Sequence, residues 1–370
     1  MLHSLNIKNY RALADFEVPR LGRINLIVGR NNGGKSAVLE AIRVYAGHAN
    51  KALLEGIARS HDETLQDLFT GRRFPGDDDE AHAIQIGEAN NPASTLCIRH
   101  AHAVETEERT EEHGTTTTQW RVKAVPKNGS TEAEGRLLQV LYVTQPARAF
   151  PTIFLDSSRF LVPDTVPPTP CGFVPTQLLS TDELADGWDR IVFTEHEDIV
   201  RRALQILTPE FENLTFVRID DSHLDPLKTR SPLRRSAKVK LSNTPAPVAL
   251  KSLGDGMQRI LQIALKLVSA RGGFLLIDEF ENGLHYSVQE KVWALLFEMA
   301  EQLEIQVFAT THSWDCIESF SKVALDKKDT EGVLFRVGRS VRNSDRGRVI
   351  ATVFDEEALH SITQSDVEVR

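Results

Sequence analysis

The residues able to do chemistry fall in four short stretches. GRNNGGKS, residues 29–36, places Gly29, Gly34, Lys35 and Ser36 at the spacing of a phosphate-binding loop. Glycines let backbone N–H groups turn onto phosphate oxygens, Lys35 brings a positive charge to the β and γ phosphates, and the Ser36 hydroxyl is a ligand for Mg²⁺. Asn31, Asn32, Gly33 and Ala37 complete the expected ATP lining. FLLIDE ends an apolar run on two acids, Asp278 and Glu279. Asp278 is suited to a Mg²⁺ shell, and Glu279 to taking a proton from an attacking water. SLGDGMQRILQIAL, residues 252–265, sets a Gly254-x-Gly256 turn at a helix start, where the dipole and unpaired N–H groups attract an anion. ATTHS carries His312 to the end of a further apolar strand.

These stretches need elements to hold them. Residues 1–46 read as strand, turn, strand, loop and helix: LHSLNIKNY alternates, RINLIVG is a buried strand ending at a glycine, and SAVLEAIRVYA has helical spacing. From 50 to about 136 the composition turns acidic, with DDDE, ETEERTEEHGTTTT and short β-like runs, which predicts an inserted antiparallel β region with charged loops. PTIFLDSSRF, 151–160, reads as a buried strand, and the proline-rich 162–175 as an irregular connection. The next segment, beginning STDELADGW, pairs Ser or Thr starts with Glu three positions on and predicts two helices. LTFVRIDDSH and AKVKLSN are expected strands around a basic connection, followed by a helix-rich stretch, the FLLIDE strand, a helix from about Val288 to Leu303 and the IQVFATTHS strand. The expectation is one split α/β domain in four parts, 1–49, 50–150, 151–245 and 246–370.

Asp278 lies 243 positions after Lys35. That excludes compact kinase and GTPase arrangements, in which the second motif follows closely, and favours a split nucleotide-binding domain. The net charge of -9 and pI near 5.8 argue against a chain that coats nucleic acid. No apolar run is long enough for a signal peptide or membrane span, so a cytoplasmic protein without membrane partners is expected. Cys97, Cys171 and Cys316 form no CxxC pair. CIRHAH offers Cys97, His100 and His102 to a metal, but no second ligand cluster stands nearby. Lys228, Arg230, Arg234, Arg235, Lys238 and Lys240 make residues 228–240 the one dense basic segment, either a solvated hairpin or a contact to DNA or RNA phosphates.

Taken in order, GRNNGGKS, SLGDGMQR, LLIDEFENGLH and ATTHS resemble the ABC-type ATPase heads of the SMC, RecF and OLD group, found among AAA-family ATPases of bacterial anti-phage defence. The opening LNIKNYRALADFEV before INLIVGRNNGGKS is similar to the way such proteins begin. The resemblance implies a P-loop head with a mixed sheet, the inserted β region and a helical lobe. It makes residues 29–36 Walker A, Asp278 and Glu279 Walker B, and EFENGLH the loop at a dimer seam. Ser252 to Arg259 would be a signature reaching the γ-phosphate on a second subunit, and His312 the switch histidine. LGDGM departs from LSGGQ, with Gly254 at the serine position and Met257 at the polar one. Ser252 is the nearest replacement hydroxyl, so Ser252, Gly254 and Gly256 are the expected signature contacts. For the glutamine loop, Gln145 and the DSSR segment ending at Arg159 are the candidates.

By that resemblance ATP and Mg²⁺ are bound between two copies of the chain, and hydrolysis regulates a separate nuclease or toxin effector. Residues 314–370 are too few for the nuclease domain that OLD proteins carry at this place. The alternative is a RecF-like repair clamp that grips DNA through 228–240.

Overall fold

The computed structural model describes residues 1–76, 79–112, 115–124, 136–146, 148–155, 167–219, 234–327, 329–345 and 347–354. Strands β1 (Leu5–Tyr10), β2 (Leu13–Val18) and β3 (Ile24–Val28) lead through the phosphate-binding loop into α1 (Lys35–Ala46) and α2 (Lys51–Arg59). β4 (Ile84–Glu88), β5 (Asn91–Glu112), β6 (Thr115–Ala124), β7 (Arg136–Gln145), β8 (Arg148–Ala149) and β9 (Ile153–Phe154) follow. These are the antiparallel strands expected after residue 50. β4 pairs with β1, so they extend the opening hairpin into one eight-stranded sheet.

The chain continues with β10 (Cys171–Val174), α3 (Thr181–Asp189), α4 (Glu197–Gln205), β11 (Phe211–Ile219), β12 (Arg234–Leu241), β13 (Val248–Ala249) and α5 (Asp255–Ser269). Both expected helices of the middle segment form. Ser180 starts α3 with a capping box, its Oγ accepting from Glu183 N–H while Glu183 accepts from Ser180 N–H. β11, β12 and β13 make a small antiparallel sheet. Of the strand expected at 151–160 only Ile153–Phe154 is paired, and 156–166 lie outside the described residues. The connection expected at 162–175 ends in β10, because CGFV is short, apolar and bounded by prolines.

β14 (Phe274–Ile277), α6 (Tyr286–Gln302), β15 (Gln306–Thr311), α7 (Trp314–Asp326), β16 (Gly332–Arg339) and β17 (Val349–Phe354) complete the described chain. The central sheet has the order β10-β14-β15-β3-β16-β17, parallel except for its last pair. Every residue of β3, β14 and β15 is buried, as expected of parallel strands covered on both faces. Their side chains alternate between two cores. Ile24, Leu26, Leu275, Ile277, Val307 and Ala309 pack under α5 and α6, while Ile27, Leu276 and Phe308 face α1 and the antiparallel sheet.

The two ends of the chain are tied by buried amides. Gln306 Nε2 donates to Leu2 O at 2.7 Å and to Gly22 O at 2.8 Å, and its Oε1 accepts from Leu2 N–H. Among the described residues no helix is long and apolar enough to cross a membrane.

Candidate nucleotide site

Walker A, Walker B and the histidine strand end side by side because β3, β15 and β14 are neighbours in one parallel sheet. Residues beyond the carboxyl ends of such strands are where α/β folds place ligands. Gly29 has φ +149, and a Cβ there would lie 2.2 Å from Val337 O, so no other residue fits. Gly34 at φ +105 turns the chain into α1. Lys35, 9 % exposed, donates to Gly29 O at 2.7 Å and Arg30 O at 3.2 Å, bridging the mouth of the loop. Burial holds its ammonium below the usual lysine value, against the opposing pull of Asp278, Glu279 and Glu281.

The acids are fixed as firmly. Ser36 Oγ donates towards Asp278, at 3.4 and 3.5 Å from its two oxygens. Thr310 Oγ donates to Asp278 Oδ1 at 2.7 Å and accepts from Glu279 N–H at 2.8 Å, and Thr176 Oγ donates to Asp278 Oδ2 at 3.2 Å. Glu279 has φ +49, a left-handed backbone uncommon outside glycine. Arg259, fully buried on α5, over-determines it: one guanidinium nitrogen donates to Asp278 O at 2.7 Å and Glu279 O at 2.8 Å, another to Pro175 O. Burial pushes the Arg259 guanidinium down to about 10, which leaves it charged at neutral pH.

A cleft of about 700 Å³ is lined by Asn31, Asn32, Gly33, Gly34, Lys35, Ser36, Ala37, Asp278 and Glu279, with Arg11, His61 and Arg72 at its far end. That size suits a nucleotide. His312 faces a smaller adjoining cavity of about 220 Å³ with Gly29, Arg30 and Asn31. Ser252, Gly254 and Gly256 line neither. Ser252 Oγ donates to Ala249 O at 2.6 Å, so its hydroxyl serves its own turn.

The oxygen donors of Ser36 and Asp278 lie within hydrogen-bond reach of one another at the mouth of the phosphate loop, a set that fits a hard cation such as Mg²⁺. Among the described residues no cluster of three or more His, Cys, Asp or Glu could hold a metal by itself, and CIRHAH makes none: His100 stacks on Phe74, ring centres 4.4 Å apart. Gln145 donates to Ser94 O in the antiparallel sheet, away from the cleft, and the segment through Arg159 lies outside the described residues. Thr176, Thr310 and Glu281 were not singled out from sequence. For Thr176 the signal was the strand-like CGFVP just before it.

Two family models match separate stretches of the chain. The description "AAA ATPase domain" covers residues 1–114, and "AAA domain, putative AbiEii toxin, Type IV TA system" covers 152–315. Their boundaries bracket Walker A on one side and the signature, Walker B and His312 on the other. Both stretches thus match AAA ATPase domains. An "ATP/GTP phosphatase" of Helicobacter pylori is 23 % identical over 345 residues, 88 % of this chain and 89 % of that one. An uncharacterised protein of Methanocaldococcus jannaschii is 34 % identical over 91 residues, 25 % of this chain and 79 % of its own. Among solved structures, the SMC head domain from Thermotoga maritima has a TM-score of 0.44 at 15 % identity, covering 96 % of this chain and 99 % of that one. The Smc head from Pyrococcus furiosus bound to the C-terminal domain of ScpA has a TM-score of 0.49 at 11 % identity, covering 98 % of each.

Proposed function

We propose that this ATPase binds ATP with Mg²⁺ between two copies of the chain and hydrolyses it, and that the closed dimer regulates a separate effector protein in a defence assembly. The observation carrying this reading is an unfinished site. The cleft gathers Walker A, Asp278 and Glu279, yet the signature residues Ser252, Gly254 and Gly256 of the same chain do not line it. A second copy is the natural source of the missing wall.

On binding, Lys35 gives up the carbonyls of Gly29 and Arg30 for phosphate oxygens, and the loop N–H groups hold the rest. Ser36 and Asp278 would hold Mg²⁺, which screens the phosphate charge. Glu279 then takes a proton from water as the water oxygen bonds to the γ-phosphorus and the bond to the β–γ bridging oxygen breaks. Thr310 and Arg259 keep the Glu279 backbone still throughout.

The effector reading draws support from the AbiEii description of the family model over 152–315. The DNA-clamp reading draws less. Arg235 is bound to Asp189 at 2.8 Å and Asp186 at 3.5 Å, and Lys240 to Glu212 at 2.7 Å, so these charges of the basic segment are answered within the chain. Residues 228–233 lie outside the described ones. Glu279→Gln tests the proposal: the variant should retain ATP, lose phosphate release and accumulate as a dimer in light scattering. A normal hydrolysis rate would overturn the assignment of Glu279.

A further inference from the structure

The loop after Walker B contains an acid that the hydrolytic scheme does not use. Glu281 is 12 % exposed in its side chain, and its Oε1 accepts from His312 N–H at 3.0 Å and stands 3.1 Å from His312 Nδ1. The other acid near that ring, Glu279, is 3.9 Å from the same nitrogen. Glu281 Oε2 is buried with no hydrogen-bond partner among the described residues. A carboxylate kept this dry has one evident task, to hold the imidazole.

Glu281 is itself locked. Phe280 N–H donates to Thr310 O at 2.9 Å, and its ring stacks on Trp293 with centres 3.9 Å apart. Asn282 Nδ2 donates to Thr176 O at 2.6 Å, and Gly283 turns the chain at φ +74. Together with Glu279 N–H on Thr310 Oγ, these bonds join the Walker B loop and the end of β15 into one rigid piece. The histidine is therefore aimed by the loop rather than by its own strand.

We propose that Glu281 is the positioning residue for His312, and that it fixes the Nδ1–H tautomer so that Nε2 is the ring nitrogen presented to the P-loop cavity. In imidazole the hydrogen bond made by one nitrogen decides the role of the other. With Nδ1 3.1 Å from the Glu281 carboxylate, a proton on that nitrogen is favoured by the charge beside it, and a flip of the ring would forfeit the contact. Nε2 is then kept for the phosphate or its attacking water, and the backbone bond to His312 N–H stops the whole turn from drifting. This rests on the hydrolytic reading above for its consequence, but not for its geometry.

Two measurements test it. Long-range ¹H–¹⁵N spectra of the nucleotide-free protein, with His312 assigned through His312→Ala, should show Nδ1–H in the wild type and in Glu281→Gln, whose amide oxygen still accepts. Glu281→Ala should show mixed tautomers. An Nε2–H signature in the wild type overturns the proposal whether or not the protein hydrolyses ATP. In turnover, Glu281→Ala should lower kcat by up to about 100-fold, the scale of a misplaced catalytic group, with KM little changed. Glu281→Gln should recover most of the rate, and Glu281→Ala in a His312→Ala background should add nothing. A further loss in that double variant, or a raised KM at constant kcat, would refute the positioning role. Absence of hydrolysis in the wild type, by contrast, would remove the functional reading and leave the tautomer result standing.

Discussion

The Walker cleft and the tip of the signature helix are joined through α5, yet they are finished to different degrees. In the cleft Lys35, Ser36, Asp278 and the backbone of Glu279 all have partners, and Ser36 and Asp278 meet across 242 residues of sequence. At the tip Ser252, Gly254 and Asp255 are exposed, and a side chain added at Gly254 would meet nothing within 4 Å. The first N–H groups of any helix lack partners within it. A site whose groups satisfy one another is rigid before its ligand arrives; a bare tip gains its partners only on contact. Arg259 links the two, since it stands one turn beyond the tip and grips the carbonyls of Asp278 and Glu279.

Substitutions should separate these regions. Glu279→Gln is expected to slow phosphate release by about 100- to 10,000-fold, the usual weight of a general base, without loss of ATP in a filter-binding assay. Lys35→Ala should weaken ATP binding by about 2–5 kcal/mol by calorimetry, because a buried charge contact is lost. Arg259→Leu leaves the buried carbonyls of Pro175, Asp278 and Glu279 without their donor and should cost about 2–4 kcal/mol in denaturant unfolding. Ser252→Ala, at the exposed tip, should change folding stability by less than about 0.5 kcal/mol. If it also leaves the Glu279→Gln dimer intact, the Ser252 hydroxyl is not the signature contact. A large stability loss there would erase the contrast between cleft and tip.

Sequence revealed most of the cleft because its parts are periodic and local. A glycine loop before α1, and an apolar run ending in Asp278 and Glu279, announce themselves within a few residues. The partners that hold them do not. Thr310 acts through a hydroxyl in an otherwise apolar strand, Thr176 follows a four-residue strand masked by prolines, and Glu281 reads as one more acid in a polar loop. Their roles arise from strand neighbours that no local pattern specifies. The helix expected at 288–303 spans Tyr286–Gln302, its start set by His285, whose side chain accepts from Ser287 N–H. The antiparallel strands of the acidic region follow from its composition and alternation, whereas the pairing of β4 with β1, which joins them to the first sheet, is announced by no local pattern.

The position of β3 has a consequence for how the molecule comes into being. Ile24 pairs with Val307 on one side and Gly332 on the other, so both neighbours of this strand are made some three hundred residues after it. Contacts of such separation close late. During synthesis the phosphate loop leaves the ribosome long before the acids that complete it, and nucleotide cannot find a finished cleft until nearly the whole described chain is out. The strand that leads into the phosphate loop is thus made first in its sheet and enclosed last, a long interval in which an apolar INLIV segment depends on the antiparallel hairpin beside it, or on a chaperone, for cover.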